Sequence, residues 1–206
     1  MRIGVVNIGL GNVNSVARAL VKLGVEVDIV SDPAGLASTE KIVFPGVGSY
    51  GEAVAKITCS GIREAIREEV LANKKPILGI CLGMQLLARQ SEEGEGLGLD
   101  FIPAQITRLK VREQGLSLPH VGWNDVSHGG MEMFHGIPEK TSFYFVHSYA
   151  MDSPQVGCKI ATCDYGGTFA AAVQQGNIWG AQFHPEKSQQ AGLKLLQNFI
   201  EYQSHA

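Results

Sequence analysis

The chain has 206 residues and a formal net charge of -3, and 45% of its residues are hydrophobic against 18% charged. This length and composition are typical of one globular domain with a sizeable apolar core, and they exclude a disordered or fibrous protein. The slightly acidic balance provides no broad cationic surface. We therefore expect neither nucleic acid nor a membrane as partner and favour a small-molecule substrate.

The cysteines and the first residues indicate a reduced, cytoplasmic setting. Four cysteines lack the short paired spacing of a zinc site or a disulfide framework: Cys59, Cys81, Cys158 and Cys163. The opening MRIGVV has one basic residue and no small-residue cleavage site, which favours a strand over a signal peptide. No window reaches the roughly 18 consecutive apolar residues of a membrane span. We expect a cytoplasmic protein without a metal or a cofactor.

The first half of the chain alternates between strand-like and helix-like segments. Four segments are apolar and β-branched, as in buried strands: 2–7, 25–30, 41–44 and 76–80. Four others carry apolar residues at helical spacing: 13–23, 50–57, 61–71 and 82–89. Strands separated by helices predict a parallel sheet that is covered on both faces.

The second half changes to strands without clear helices between them. Residues 91–100 are polar and glycine-rich, which predicts a loop. Six strand candidates follow: 101–111, 121–126, 142–148, 160–161, 169–174 and 177–183. Residues 189–202 predict an amphipathic terminal helix. We expect a three-layer α/β fold over residues 1–206, a single domain whose mostly parallel central sheet gains antiparallel strands in the second half.

One cysteine lies at a tight joint between a predicted strand and a predicted helix. In KPILGICLGMQ, Gly79 and Gly83 flank Cys81 with the spacing of a nucleophile elbow in which cysteine replaces serine. The free N–H groups that begin a helix favour the thiolate, which is the nucleophilic form. The alternative is an inert buried cysteine, as free cysteines usually are. The agreement of both glycines, the strand and the helix favours the nucleophile.

A cysteine nucleophile needs a base and a group that orients the base. His184 follows a predicted strand in QFHPEKS, and an extended Pro185 would let Glu186 project to the same side as the imidazole. The carboxylate would then fix the tautomer and stabilise the imidazolium. A capping or core histidine before the terminal helix is the alternative interpretation of His184.

Acyl chemistry also requires donors for an oxyanion. The N–H of Leu82, directly after the nucleophile, is one candidate by geometry. The loop at 45–48, with Gly46, Val47 and Gly48, follows a strand at the same edge of the sheet and is the other candidate. An ordinary strand-to-helix turn is the alternative interpretation of that loop.

The segments GICLGMQ and HPE resemble those of the triad, or class I, glutamine amidotransferases. Members of that family hydrolyse glutamine through a cysteinyl thioester and deliver the ammonia to a synthase. Three further segments, GLGNVNSVARAL, HVGWN and YFVHSY, are similar to the family of glutaminase subunits of imidazole glycerol phosphate synthase, in histidine biosynthesis. Together these segments extend the resemblance over essentially the whole chain.

The resemblance assigns roles to individual positions. It implies that Cys81 is the nucleophile, His184 the acid and base, and Glu186 its partner. It implies a glutamine site formed by four residues, all but Gln85 through their backbone: Gly48, Gln85, Ser148 and Tyr149. Spacing alone would place Gln85 on a helix surface.

The resemblance also implies a partner on another chain. That partner would be a cyclase subunit with a (β/α)8 barrel, in a heterodimer, with Asn12, Trp123 and Lys187 facing it near an ammonia route. Core packing is the alternative interpretation of Trp123. The chain departs from the family at Asn7 and Ile8, where an Asp and an aromatic residue are common.

Two other functions are compatible with parts of the sequence. The chain could be a triad glutaminase for another synthase, such as anthranilate synthase. The segment GLGNVN after the first strand partly imitates the dinucleotide fingerprint G-x-G-x-x-G, but Asn14 stands where the third glycine would allow close helix packing.

Overall fold

A ten-stranded mixed sheet forms the centre of the protein, as seen in a computed structural model that describes residues 1–111, 115–152 and 157–203. The described residues contain twelve strands, ten in this sheet and two in a separate pair. They are β1 (Arg2–Val6), β2 (Glu26–Val30), β3 (Lys41–Gly46), β4 (Ile77–Cys81), β5 (Ala88–Ser91), β6 (Ile102–Arg108), β7 (His120–Val126), β8 (Thr141–His147), β9 (Tyr149–Met151), β10 (Lys159–Asp164), β11 (Thr168–Gln175) and β12 (Ile178–Ala181). The order across the sheet is β2-β1-β3-β4-β12-β11-β9-β6-β5, with β10 paired to β11.

The direction of the strands changes along the sheet in the way the sequence predicts. The strands β2, β1, β3, β4 and β12 are all parallel. Antiparallel pairing begins at β11, which pairs with β12, β10 and β9. The strands β7 and β8 form a separate antiparallel pair. The prediction of a mostly parallel core with added antiparallel strands is confirmed.

Six α-helices lie on the two faces of the sheet within the described ranges: α1 (Val13–Lys22), α2 (Pro33–Ala37), α3 (Tyr50–Cys59), α4 (Ile62–Arg67), α5 (Leu82–Gln85) and α6 (Gln189–Glu201). Successive residues of β3 alternate between two buried clusters, since Val43 packs with α1 and α6 while Ile42 and Phe44 pack with α2, α3 and α4. None of these helices combines the length and hydropathy needed to cross a membrane.

The helix after Cys81 is shorter than the sequence predicts. It ends at Gln85, although the apolar spacing continues to 89 and predicts a helix over that whole segment. The carbonyls of Leu86 and Leu87 accept hydrogen bonds from the N–H groups of Leu99 and Phe101, at 2.7 and 2.8 Å. These bonds tie the chain after Gln85 to the incoming segment, and residues 88–91 pair with β6 as strand β5 instead of continuing the helix.

The short helix α2 is absent from the sequence prediction, although its start carries a local signal. Asp32 accepts a hydrogen bond from the N–H of Gly35 at 3.0 Å, and Pro33 occupies the first turn. Both features are favoured at a helix N-terminus. The helix has only five residues, so its apolar spacing is too short to detect.

A buried lysine at the start of β3 anchors the C-terminal end of α6. Lys41 Nζ donates to the carbonyls of Phe199 and Ile200, each at 2.8 Å, and also to that of Tyr202. These carbonyls have no acceptor role inside the helix, and a cation complements the negative end of the helix dipole. Burial lowers the pKa of Lys41 to about 8.

We expect Lys41→Met to lower the free energy of unfolding by about 2 kcal/mol, because it leaves several buried carbonyls without a donor. Denaturant unfolding checks this, with the exposed Lys22→Met as the matched control. An equal and small effect of both substitutions would show that Lys41 does not anchor the helix.

Candidate active site

The backbone at Cys81 has the strained geometry of an elbow. Cys81 ends β4 with φ 54° and ψ −111°, a conformation that costs a residue with a side chain about 1–3 kcal/mol. A Cβ atom added to Gly83 would lie 1.7 Å from the carbonyl oxygen of Phe44, and one added to Gly79 would lie 2.6 Å from that of Gly83. Both glycines are therefore required by close packing around the bend, as the sequence predicts.

The one-turn length of α5 reduces the contribution of the helix dipole at Cys81 below the one that the sequence predicts. A single turn has a smaller dipole than the longer helix that was predicted, so the aligned peptides contribute less to stabilising a thiolate. The first N–H groups of a helix still lack an intrahelical acceptor, and Leu82 supplies one of them beside Cys81. Gly46 at the end of β3 pairs directly with Cys81.

His184 and Glu186 form a buried ion pair. His184 Nδ1 lies 2.9 Å from Glu186 Oε1, and the two side chains are 4% and 1% exposed. The prediction that Pro185 holds the chain extended is wrong, because Pro185–Lys187 is a 3-10 turn. The turn still brings the carboxylate to the imidazole, since it folds residue 186 back over residue 184.

Hydrogen bonds to β8 fix the position of His184. The His184 N–H donates to the carbonyl of Tyr144 at 2.9 Å. Ser188 Oγ donates to the His184 carbonyl at 2.7 Å and accepts from the Tyr144 N–H at 3.0 Å. The imidazole therefore stands on a backbone that is tied to the neighbouring strand.

The surroundings of His184 favour its protonated form. Burial alone would lower the pKa of the imidazole, but hydrogen bonds to Cys81 and Glu186, together with their charges, outweigh burial and raise the pKa to about 9. Since Nδ1 is occupied by Glu186, Nε2 remains for Cys81. The three side chains thus form a connected acid–base series that ends on a sulfur.

A cavity of about 280 Å³ opens on the sulfur, a size suited to a small ligand. Nine of the residues singled out from the sequence line it: Val47, Gly48, Cys81, Leu82, Gln85, Ser148, Tyr149, His184 and Lys187. Gln85 is 5% exposed and donates from Nε2 to the Tyr149 carbonyl at 2.9 Å, so the surface position suggested by its spacing is wrong. A larger depression of about 470 Å³ near Gln90 contains no cysteine or histidine.

Two buried histidines beside the cavity are not predicted from the sequence. His147 Nδ1 lies 2.8 Å from the Tyr149 carbonyl, and His147 Nε2 lies 3.1 Å from His120 Nδ1. Burial lowers the pKa of His147 to about 3 and that of His120 to about 4, so both are neutral at pH 7. They lie within HVGWN and YFVHSY, and pairing β7 with β8 in register would have brought them together.

Of the three residues assigned to a partner surface, Lys187 lines the cavity, whereas Trp123 and Asn12 lie outside its lining. Trp123 is 48% exposed, which rules out core packing, and its ring lies 5.9 Å from that of Tyr144. Lys187 Nζ lies 5.6 Å from the same Tyr144 ring. Asn12 precedes α1, and the adjacent Gly11 packs closely against Gly46.

The turn before α1 keeps its local bonding despite the departure from the family. Asn7 Oδ1 accepts from the Gly9 N–H at 3.0 Å. An aspartate oxygen could make the same bond, so asparagine preserves the turn without the charge.

Within the described ranges, no three histidine, cysteine or carboxylate side chains converge in the manner of a metal site.

Comparisons with known proteins agree with this arrangement. Residues 4–202 match the family described as glutamine amidotransferase class-I. The imidazole glycerol phosphate synthase subunit HisH of Moorella thermoacetica is 43% identical over 206 residues, covering 99% of this chain and 96% of the relative. The chain belongs to this HisH family of class I glutamine amidotransferases. The HisH subunit of Herpetosiphon aurantiacus is 44% identical over 202 residues, covering 97% of this chain and 93% of the relative.

Solved structures of other glutamine amidotransferases share the fold of this HisH-family chain. A crystal structure described as a glutamine amidotransferase superimposes with a TM-score of 0.77 at 20% identity, covering 97% of each chain. The structure of PurLQS from Thermotoga maritima gives 0.73 at 20% identity, covering 98% of each. The family and fold class expected from the sequence are confirmed.

We expect Glu186→Gln to lower the pKa of His184, because it removes a charge that favours the imidazolium. In the unsubstituted protein the raised pKa stabilises the folded state fully below about pH 6.5, and this stabilisation is lost as the pH rises through about 9. In the variant the stabilisation is smaller and its loss is complete at a lower pH, because the folded-state pKa is lower while the unfolded-state pKa is unchanged. NMR titration of the imidazole, together with unfolding at several pH values, measures both effects.

Glu139→Gln is the matched control, because Glu139 lies 3.3 Å from another histidine, His128, outside the cavity. This control should leave the titration of His184 unchanged. An unchanged titration in Glu186→Gln as well would contradict the role of the carboxylate.

Proposed function

We propose that this chain hydrolyses L-glutamine to glutamate and ammonia through a thioester on Cys81, as the glutaminase subunit of imidazole glycerol phosphate synthase. The observation that carries the proposal is the buried series Cys81, His184 and Glu186 at the base of a small cavity. The identity of 40–44% with HisH subunits over nearly the full length supports the choice of synthase.

In the first half of the reaction the Cys81 thiolate attacks the side-chain amide carbon of glutamine. The new C–S bond places the carbonyl electrons on oxygen, and this oxyanion needs donors. We assign these donors to the Leu82 N–H and to the loop of Gly46, Val47 and Gly48, and the position of Val47, Gly48 and Leu82 in the cavity lining supports the assignment. His184 then gives its proton to the amide nitrogen, the C–N bond breaks, and ammonia leaves behind an acyl thioester.

In the second half of the reaction water replaces the nitrogen. His184, now neutral, takes a proton from a water molecule as it attacks the thioester carbon. The C–S bond breaks, glutamate leaves, and the thiolate and imidazolium are restored. The Glu186 carboxylate holds the Nδ1 side of the ring and stabilises each imidazolium that forms.

The remaining lining of the cavity suits the polar ends of glutamine. Its α-amino and α-carboxylate groups need hydrogen-bonding partners at a fixed distance from the sulfur. Gly48, Ser148 and Tyr149 line the cavity, and Gln85 is held by the Tyr149 carbonyl. We assign these four residues to substrate binding.

The ammonia requires a protected route, because ammonia released into water is protonated and no longer reaches the acceptor as a nucleophile. We propose that a cyclase subunit with a (β/α)8 barrel covers the cavity mouth in a heterodimer and makes imidazole glycerol phosphate and aminoimidazole carboxamide ribonucleotide. Asn12, Trp123 and Lys187 would face this partner. The exposed Trp123 ring beside Tyr144 supports this assignment, because aromatic side chains are enriched at interface centres.

We further propose that residues 1–206 act as one glutaminase domain in the cytoplasm. The pairing of β4 with β12 joins the two halves of the chain in one sheet, which supports a single unit. The absence of disulfides among Cys59, Cys81, Cys158 and Cys163 is in keeping with a reducing compartment.

We expect Cys81→Ser to reduce glutamine hydrolysis at least about a thousandfold, because the catalytic members of a triad act as a unit. The ammonia-driven synthase reaction at high pH should persist, since the acceptor site lies on the partner. The exposed Cys59→Ser is the matched control and should keep full activity. Glutamine-dependent turnover by Cys81→Ser at the unsubstituted rate would end the proposal.

We expect Trp123→Ala to weaken binding to a barrel cyclase roughly tenfold to a hundredfold, because a central aromatic residue at an interface often dominates its energy. Titration calorimetry with the purified cyclase measures this. Ile29→Ala removes another exposed apolar side chain, on β2 at the edge of the ten-stranded sheet, and should have no effect. Tight binding to an anthranilate synthase chain instead of the cyclase would identify a different synthase.

A further inference from the structure

A buried glutamine next to the elbow makes a contact with the reacting sulfur that the triad does not require. Gln182 is fully buried, and its Nε2 lies 3.7 Å from Cys81 Sγ. It lies between the end of β12 and His184, and its backbone N–H donates to the carbonyl of Ala171 at 2.8 Å. We propose that Gln182 is a further catalytic residue, whose side-chain amide donates to the Cys81 thiolate and stabilises it.

The orientation of the Gln182 amide is set by the Tyr149 carbonyl, which acts on it through Gln85. The Tyr149 carbonyl can only accept, so Gln85 must present its Nε2 to it, at 2.9 Å. The same Nε2 lies 3.1 Å from Gln182, which must therefore present its oxygen to Gln85. The remaining end of the Gln182 amide is the NH₂ group, and it faces the sulfur.

The Tyr149 carbonyl is itself fixed from its other side. His147 Nδ1 lies 2.8 Å from it and must carry the proton, which leaves Nε2 as the acceptor for His120 Nδ1 at 3.1 Å. Because burial keeps both imidazoles neutral, this polarity does not change near pH 7. One carbonyl thus sets the direction of every donor from His120 to Gln182.

A fixed donor at this position favours the charged sulfur over the neutral thiol. Hydrogen bonds to the ionised form of a group stabilise that form, and they are stronger than bonds to the neutral form. The neutral thiol can also donate to the carbonyl of Val146 at 3.8 Å, a bond that the thiolate cannot make. Gln182 therefore counters an acceptor that would hold the proton on the sulfur.

Substitution of Gln182 tests this inference, which rests on Cys81 being the nucleophile of the proposed glutaminase. Besides Cys81, the titratable groups lining the same cavity are His147, Tyr149, His184, Glu93 and Lys187, and they remain in every Gln182 variant. The readouts are glutamine turnover and the rate of alkylation of the Cys81 peptide by iodoacetamide as a function of pH. Alkylation needs no substrate, so it reports the reactivity of the Cys81 sulfur independently of any effect on glutamine binding.

We expect Gln182→Leu to reduce kcat roughly tenfold, with a smaller change in KM, and to move the midpoint of Cys81 alkylation to higher pH. Gln182→Glu keeps the volume but replaces the donor with an acceptor, and it should move the midpoint further. Gln174→Leu removes another buried amide, which binds Glu132 and the Met133 N–H, and should leave both readouts unchanged.

The outcomes separate this inference from the proposed function. Unchanged kcat and alkylation midpoint in Gln182→Leu, with Cys81→Ser inactive, would overturn the role of Gln182 and leave the glutaminase proposal standing. An active Cys81→Ser would overturn both. If the Gln182 variants fail to fold, the side-chain amide resonances of Gln182 in the unsubstituted protein decide: they should shift as Cys81 ionises, and a constant position would refute the contact.

Discussion

The close approach of α5 to the end of β3 is the constraint on which the site depends. The Phe44 carbonyl fits against Gly83 only because that residue has no Cβ, and the bend this allows holds Cys81 at positive φ. Strain at a residue with a side chain persists only where the surroundings impose it. The parallel strands β3, β4 and β12, each paired along its length, are those surroundings, and they place the sulfur at the edge where the loops converge.

Directional hydrogen bonding extends this constraint from the backbone to the side chains. The carbonyl of Tyr149 accepts from both Gln85 and His147, so the groups on either side of it have one permitted orientation. A buried network in which each member is paired is rigid, since reversing one amide would oppose two like groups. The sulfur therefore receives a fixed environment before substrate arrives, which is the form of preorganisation that favours charge stabilisation in a transition state.

The sequence predicts those parts of the site that depend on local spacing. Gly79, Cys81 and Gly83 define a bend from five residues, and the order of strands and helices around them predicts the parallel core. The interval between His184 and Glu186 also predicts their pairing, although the turn that creates it differs from the one expected. In each case the residues that decide the geometry are close together in the chain.

The parts that the sequence does not predict depend on contacts between distant segments. The end of α5 is set by N–H groups from Leu99 and Phe101, which no pattern within 82–89 contains. Gln85 and Gln182 are 97 residues apart and meet only once β4 and β12 are paired. A buried polar side chain resembles a surface one in the sequence, because the partners that satisfy its hydrogen bonds come from distant segments.

The central claim is that Cys81 carries the acyl group of glutamine during turnover. The most direct test is to quench the complete synthase with acid during steady-state turnover of isotopically labelled L-glutamine, digest it, and locate the label by mass spectrometry. We expect the labelled glutamyl group on the peptide that contains Cys81, released by hydroxylamine as a thioester is. Turnover with no label on that peptide, or with label on another residue, would contradict a thioester on Cys81.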